Sequence, residues 1–489
     1  MPDEPEASSG SGTDSLDGAT GVFWFDGGPQ KRGTLHLAKN GLKVITEGIA
    51  RQPQSYSFSI GDGAASWALT HSGRPEDAVA DNTAVPLLAT LDDGRKITVR
   101  DARLAAEPPI GTQDILGTKI LLGAHAPTRA TTFAAARVAL PKAVVGRGIF
   151  RGSAPLEVAL GDVTGELRAG VDDSGWLQLT LDGGFTEMEW ERRFWNRCLT
   201  LLRLWTNAAL REDRIQLALS ADGTWADLIR IGSNEPEPFN HRESLLPPHT
   251  LTIDTMATAL ALFDELAPVP DVASRHMVYT VTLELAVLAN ASCLEGLHRG
   301  TPSGRRPFPA IKKPRPIAKA AALAAADVAV QLGVLKHEHA AAAVARLTET
   351  FSFFTEPTFA ERLEELLPPV EYVAPGLIGQ DRGFWISSVK NARNLEAHRL
   401  AKTPPQRKAN HEQHIDHYYQ LAVSTEWVLR ISLLLHLGVD PETLHARLLD
   451  HRNFLFALAN MDISRFAWPG SRLKEFQASR TRGTDPDEA

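Results

Sequence analysis

The distribution of apolar and polar positions divides the chain into two regimes. From Gly21 to about Leu181, short alternating runs are broken by turn residues, which predicts strands at Gly21–Phe25, Gly33–Leu37 and Leu42–Thr46. Pro86–Leu91 and Arg95–Arg100 flank Asp92-Asp93-Gly94, a short glycine-ended loop that predicts an antiparallel hairpin. Trp176–Leu181 ends this series, and strands at such spacing suggest a sandwich or curved sheet. Near Glu187 the period changes. Trp190, Phe194, Cys198, Leu201, Leu202, Trp205 and Ala208 follow helical spacing, as in one long helix packed on the sheet. Cys198 lies on that stripe and reads as a small buried hydrophobe. Arg214–Ile231 suggests two more strands and Leu251–Leu266 another helix, so the first half is α+β.

Pro268 and Pro270 mark a boundary, beyond which nearly every segment has helical periodicity. Predicted helices cover Ser274–Arg299, with Glu295 and Arg299 as an i,i+4 pair, then Ile317–Leu335, His337–Thr348 and Thr358–Leu367. Phe384–Leu400, His411–Leu437 and Pro441–Ala459 follow. Short loops between at least five helices predict a bundle. The expected layout is a disordered tail over 1–20, a strand-rich domain over 21–267, a bundle over 271–460 and a polar tail over 461–489.

Composition narrows the function classes. At 489 residues the chain exceeds one ordinary core, and 43% hydrophobic with 22% charged residues is a globular balance. A net charge of −8 argues against a surface built to coat long duplexes but allows a local basic cleft. The only cysteines, Cys198 and Cys293, exclude a disulfide framework or cysteine-rich zinc site and fit a reducing cytoplasm. The first residues lack the basic start and apolar run of a signal peptide. The most apolar helical stretch, Leu421–Val439, contains Glu426, Arg430 and His436, so no membrane span is expected.

The candidate chemistry lies on the Phe384–Leu400 helix. Trp385, Val389 and Ala392 give it one apolar face; Lys390, Asn391, Asn394 and His398 lie on the other side, with Arg393 at the edge. Arginine donates a fixed, permanently charged fork suited to phosphate, and histidine exchanges a proton near neutral pH. Together they can cleave RNA through its own 2′-hydroxyl: a base removes the proton, an acid protonates the leaving oxygen, and a cation holds the crowded phosphate. Positions five apart on a straight helix differ by about 140°, so Arg393 and His398 do not share a face, whereas Asn394 and His398 do. Either the helix is distorted, or a second copy completes the site across a two-fold axis.

Arg393-Asn394-Leu395-Glu396-Ala397-His398 matches the Arg, polar residue, three residues, His pattern of HEPN-domain ribonucleases, on a late helix of an all-α bundle. With the Gly33–Leu37 strand and Leu294–Arg299 in the first bundle helix, the chain resembles ApeA-type anti-phage HEPN proteins over most of residues 20 to 460. The resemblance implies an HEPN-like helical bundle and a metal-independent endoribonuclease without cofactor. It further implies activity as a homodimer or higher homo-oligomer, restrained until infection is sensed, with a phage-derived activating protein as partner. Arg393 would then stabilise the phosphate, His398 act as general acid or base, and Asn394 orient it or bind the scissile group.

Competing readings remain for several residues. Arg393 and His398 could pair with Glu396 and other neighbours on a solvated face, leaving a binding module with a vestigial motif. His411, His414 and His417 fall three apart, unlike the metalloprotease helix; exposed histidines are the plain account and a metal hydrolase the sharper one. Lys390, Arg399, Lys402, Arg305, Arg306, Lys312 and Lys313 would line an RNA path by phosphate contacts, or be ordinary solvated charge. Phe351–Phe354 reads as core.

Overall fold

The structure is a computed structural model. It describes residues 15–462 except 49–54, 62–63, 71–83, 106–111, 141–143, 145–148, 151–153, 161–162, 171–174, 211, 213, 221–223, 232–243, 276–280, 302–310, 380 and 398–410. The chain forms two compact units: residues 1–201, 209–241 and 247–261, and residues 202–208, 242–246 and 262–489.

In the first unit the alternating runs become β1 (Thr20–Phe25), β2 (Lys31–Ala38), β3 (Gly41–Glu47), β4 (Ser55–Gly61), β5 (Ala64–Thr70), β6 (Val85–Leu91), β7 (Lys96–Leu104) and β8 (Thr112–Gly117). Neighbours pair antiparallel in the order β7-β6-β1-β2-β3-β8, and β8 pairs back onto β7, closing a six-stranded barrel. The β4–β5 hairpin forms a separate two-stranded sheet. The expected glycine-ended turn joins β6 to β7, with Gly94 at φ 86 and its N–H donating to the Leu91 carbonyl. Inward positions of the barrel strands, including Phe23, Leu35, Val44, Leu87, Ile97, Val99 and Ile115, fill one apolar core. Leu16 is fully buried in that core, so the expected tail over 1–20 stops short of it. Its apolar side chain stabilises more inside the barrel than in water.

The sheet continues past the barrel from β7 through β9 (Lys119–Leu122). It adds β10 (Thr132–Ala139), β11 (Leu156–Leu160), β12 (Val163–Ala169), β13 (Trp176–Thr186), β14 (Arg214–Ala218) and β15 (Trp225–Arg230) in the order β9-β15-β14-β10-β13-β12-β11. The aromatic stripe after β13 is not one uniform α-helix. Glu187–Glu189 opens it behind a Thr186–Glu189 capping box, Trp190–Trp195 is π-helical, and α1 (Asn196–Thr206) follows. The wider turn brings residues five apart into register, so Trp190 and Trp195 stack with ring centroids 6.2 Å apart and both are buried. Cys198 is fully buried, and burial pushes its thiol well above its usual range, in keeping with a small buried hydrophobe. Cys293 is also buried. A thiol reagent is therefore expected to leave both cysteines unmodified in native protein and to label both in denaturant, as read by titration of free thiol.

The remaining helices are α2 (Ile253–Glu265), α3 (Val269–Arg275), α4 (Leu283–Gly300), α5 (Pro314–Gln331), α6 (Ala340–Phe351), α7 (Phe359–Val373), α8 (Arg382–Ala397), α9 (His411–His436), α10 (Pro441–Asp450) and α11 (Arg452–Asp462). From α3 onward they belong to the second unit, where α4, α7, α8 and α9 pack on one another. None of the described helices is long and apolar enough to cross a membrane.

Three of the boundaries that differ from the periodic reading have a visible cause. The single helix expected over Ser274–Arg299 is broken, because Thr282 is extended and its hydroxyl caps α4 by accepting from the Leu285 N–H. Pro441–Ala459 is two helices, because His451 leaves helical geometry (ψ 108) and its Nδ1 accepts from the Phe454 N–H. Helix α7 runs through Pro368 and Pro369 to Val373, beyond its expected end at Leu367. There Leu363, Leu366, Leu367, Val370 and Val373 bury one continuous stripe, which offsets the missing backbone donors. Phe351–Phe354 is not core: Phe353 is exposed and its two phenylalanine neighbours are half-buried.

Candidate active site in the helical unit

Helix α8 begins at Arg382 because the Asp381 carboxylate accepts from the Phe384 N–H. Its apolar stripe seats it: Trp385, Val389 and Ala392 are buried, and Trp385 Nε1 donates to Ser424 Oγ of α9 at 2.9 Å. Lys390, Asn391 and Asn394 are exposed, and Arg393 lies half-buried at the edge, as the 3.6-residue period requires.

Arg393 Nη2 donates to Glu295 Oε2 of α4 at 2.6 Å, and its guanidinium lies 5.1 Å from the Phe359 ring centroid at the start of α7. Glu295 Oε1 accepts from Arg299 Nη2 at 2.9 Å, so one carboxylate joins two guanidiniums. Arg299 also lies 3.6 Å from Glu356, which accepts from buried Arg362 at 3.2 Å. Beneath them, buried His298 faces Glu365 through Nε2 at 2.8 Å and Arg362 through Nδ1 at 3.3 Å. Arg362 can only donate, so Nδ1 accepts and Nε2 carries the proton toward Glu365. From a buried end at His298, three arginines thus alternate with two glutamates, Glu356 and Glu295, to an accessible end at Arg393, with Glu365 on the far side of His298.

The competing pairing of Arg393 with Glu396 is not formed: Glu396 accepts from Tyr418 Oη at 2.8 Å, and Arg393 turns to Glu295. His398 lies outside the described residues, as do Arg399, Lys402, Arg305 and Arg306. Lys312 and Lys313 are exposed at the start of α5, which packs against α6 rather than the α4–α8 face. They and Lys390 form no ion pair among the described residues. In α9, His417 sits edge-on to Tyr418, while the side chains of His411 and His414 are outside the described set. No group of three His, Cys, Asp or Glu able to hold a metal occurs among the described residues.

Glu295, Arg299 and Phe359 carry the geometry around Arg393, yet the sequence marked only the local Glu295–Arg299 pair. No signal along the chain reveals that Glu295 meets an arginine 98 positions away.

Residues 288–443 match the family model described as Apea-like HEPN. No curated protein and no solved structure matches the chain. HEPN domains are generally nucleases of the ribonuclease type, and the Apea-like family points to an anti-phage role. The helical unit of this chain carries an Apea-like HEPN domain over residues 288–443.

Proposed function

We propose that the chain is a metal-independent endoribonuclease of anti-phage defence, acting by attack of the RNA 2′-hydroxyl on the neighbouring phosphorus. The observation that carries this reading is the placement of Arg393: it is oriented by Glu295 and Phe359, yet its side chain is 31% exposed, inside the HEPN domain. A guanidinium fixed in plane and open to solvent suits a phosphate that gains charge in the transition state. Arg393 holds the phosphate, His398 moves the proton, and exposed Asn394 orients His398 or the scissile group. Because RNA supplies the nucleophile, the step needs neither a protein nucleophile nor a cofactor.

Arg393 and Asn394 point to different sides of α8, which supports a homodimer whose two copies complete each other's site. The strand-rich unit is the place for a restraining or sensing role, with a phage-derived protein as activator, in the cytoplasm of the infected cell. Lys390, exposed on α8 itself, extends the phosphate path as a cation.

The test incubates wild type, Arg393→Ala and His398→Ala with total RNA from infected and uninfected cells, with and without EDTA. EDTA-resistant cleavage that disappears in both variants is the expected result. Cleavage abolished by EDTA sinks the mechanism, and RNA binding without cleavage under activating conditions replaces it with a binding module. Light scattering is expected to give at least a dimer; a strict monomer removes the shared site.

A further inference from the structure

The carboxylate that holds Arg393 also holds a second arginine. Glu295 and Arg299 are i,i+4 neighbours on α4 and form one ion pair, while Arg393 arrives from α8 onto the other carboxylate oxygen. Each guanidinium gives Glu295 only its Nη2, and a guanidinium has five donors. Arg299 is 57% exposed and Arg393 31%, so both present unused donors to solvent, whereas Glu295 is only 18% exposed. The accessible surface thus carries two cations with the anion between them withdrawn, and Glu356, 46% exposed, flanks Arg299 on its other side.

The supports of this pair are unequal. Glu356 lies closer to Arg362 than to Arg299, at 3.2 Å against 3.6 Å, and Arg362 is fully desolvated while Arg299 is not. Buried Arg362 and buried His298 join each other and, through His298 Nε2, the exposed Glu365, which links α4 to α7. Arg299 is the only guanidinium of the three whose partners, Glu295 and Glu356, are both shared with another arginine. A local excess of positive charge thus sits at the Arg299–Arg393 end, a charge suited to an anion with several acceptor oxygens.

We propose that Arg299 is a second phosphate-contacting residue of the site and that Glu295 is the positioning residue that sets both guanidiniums around one RNA phosphate. This rests on the ribonuclease reading. Arg393 meets the scissile phosphate, and Arg299 meets the same group or the adjoining backbone phosphate, which fixes the register of the strand. Glu295 competes weakly for the two forks in the free protein and keeps them side by side when phosphate binds.

Two variants test the assignment in the full-length chain, each in a His398→Ala background for equilibrium binding of a single-stranded RNA oligonucleotide, and with His398 present for turnover. Arg299→Ala is expected to weaken binding about tenfold and to lower the slope of log K against log salt by roughly 0.7, the loss of one single-strand phosphate contact. Arg299→Lys is expected to restore the slope. Glu295→Gln removes the charge but keeps the shape; it is expected to tighten binding while kcat falls about tenfold, a split that loss of fold does not produce. Thermal melts confirm folding of each variant. An unchanged salt slope in Arg299→Ala, or Glu295→Gln with wild-type kcat, overturns the proposal while a cleaving wild type leaves the ribonuclease reading standing. A wild type that neither binds nor cuts RNA under activating conditions overturns both.

Discussion

Replacing Glu187 by alanine is expected to cost the strand-rich unit about 3–5 kcal/mol, because it strands a desolvated arginine. Arg100 on β7 is 5% exposed; its Nε donates to Glu187 Oε2 at 2.8 Å and its Nη1 to the carbonyls of Ala126 and Thr128. The other Glu187 oxygen accepts from Lys119 at 3.0 Å; Lys119 also meets Glu191, and Arg230 joins Glu191 to Glu212. This ladder of alternating charges ties the π-helical turn to β7, β9 and β15. Glu187→Gln keeps the shape and loses the charge, and its cost is expected to be smaller than that of alanine. A double change of Arg100 and Glu187 to apolar residues of similar volume is expected to be near neutral, since neither charge is then left alone. Burial raises the Glu187 carboxyl, but the charges and hydrogen bonds of Lys119 and Arg100 outweigh it, and the net pKa lies below the usual range. The sign follows: the folded-state value is below the unfolded one of about 4.3, so the stabilisation is complete above that pH and is lost as pH falls through the folded value. Urea denaturation of wild type and Glu187→Ala should therefore differ most near neutrality and converge in acid. A difference that persists below the folded-state value, where both charges are no longer paired, refutes the electrostatic account.

The sequence exposed what depends on near neighbours. Alternation located β1, β2, β3 and the β6–β7 hairpin, because inward positions such as Phe23, Leu35 and Val44 face one core. Barrel closure was not legible, since it rests on β7 pairing β8 at Arg103–Leu116 and Leu104–Ile115, a contact that leaves no periodic trace in either strand. Helix breaks at Thr282 and His451 were hidden because a single side-chain cap overrides an otherwise continuous apolar period. The π-helical turn was hidden for a related reason: Trp190, Phe194 and Trp195 satisfy a helical stripe in either geometry. At the site, Arg393 and Asn394 were readable as a motif on the face of α8, and the family match covers that helix. The residues that aim Arg393 come from α4 and α7, so their role exists only once the bundle is assembled.

That dependence makes Trp385 the most sensitive apolar position of the candidate site, and truncating it to alanine is expected to cost the helical unit about 3–5 kcal/mol. Trp385 is 1% exposed, and it anchors α8 twice, by its ring in the core and by the Nε1 hydrogen bond to Ser424 Oγ. It lies about two helical turns before Arg393 on the same helix, so a cavity beneath it lets α8 settle inward and rotate. Arg393 then leaves the fixed pairing with Glu295 and the Phe359 ring, which is a positional loss distinct from the loss of stability. Phenylalanine separates the two effects: it fills most of the volume and loses the Ser424 bond, a cost of about 1–1.5 kcal/mol. Trp385→Phe is expected to keep RNA cleavage close to wild type, while Trp385→Ala loses cleavage well below its own melting temperature. Urea denaturation and cleavage measured on the same preparations decide the matter. If Trp385→Ala cleaves RNA normally while folded, α8 is held by contacts other than Trp385, and the aim of Arg393 does not depend on this side chain.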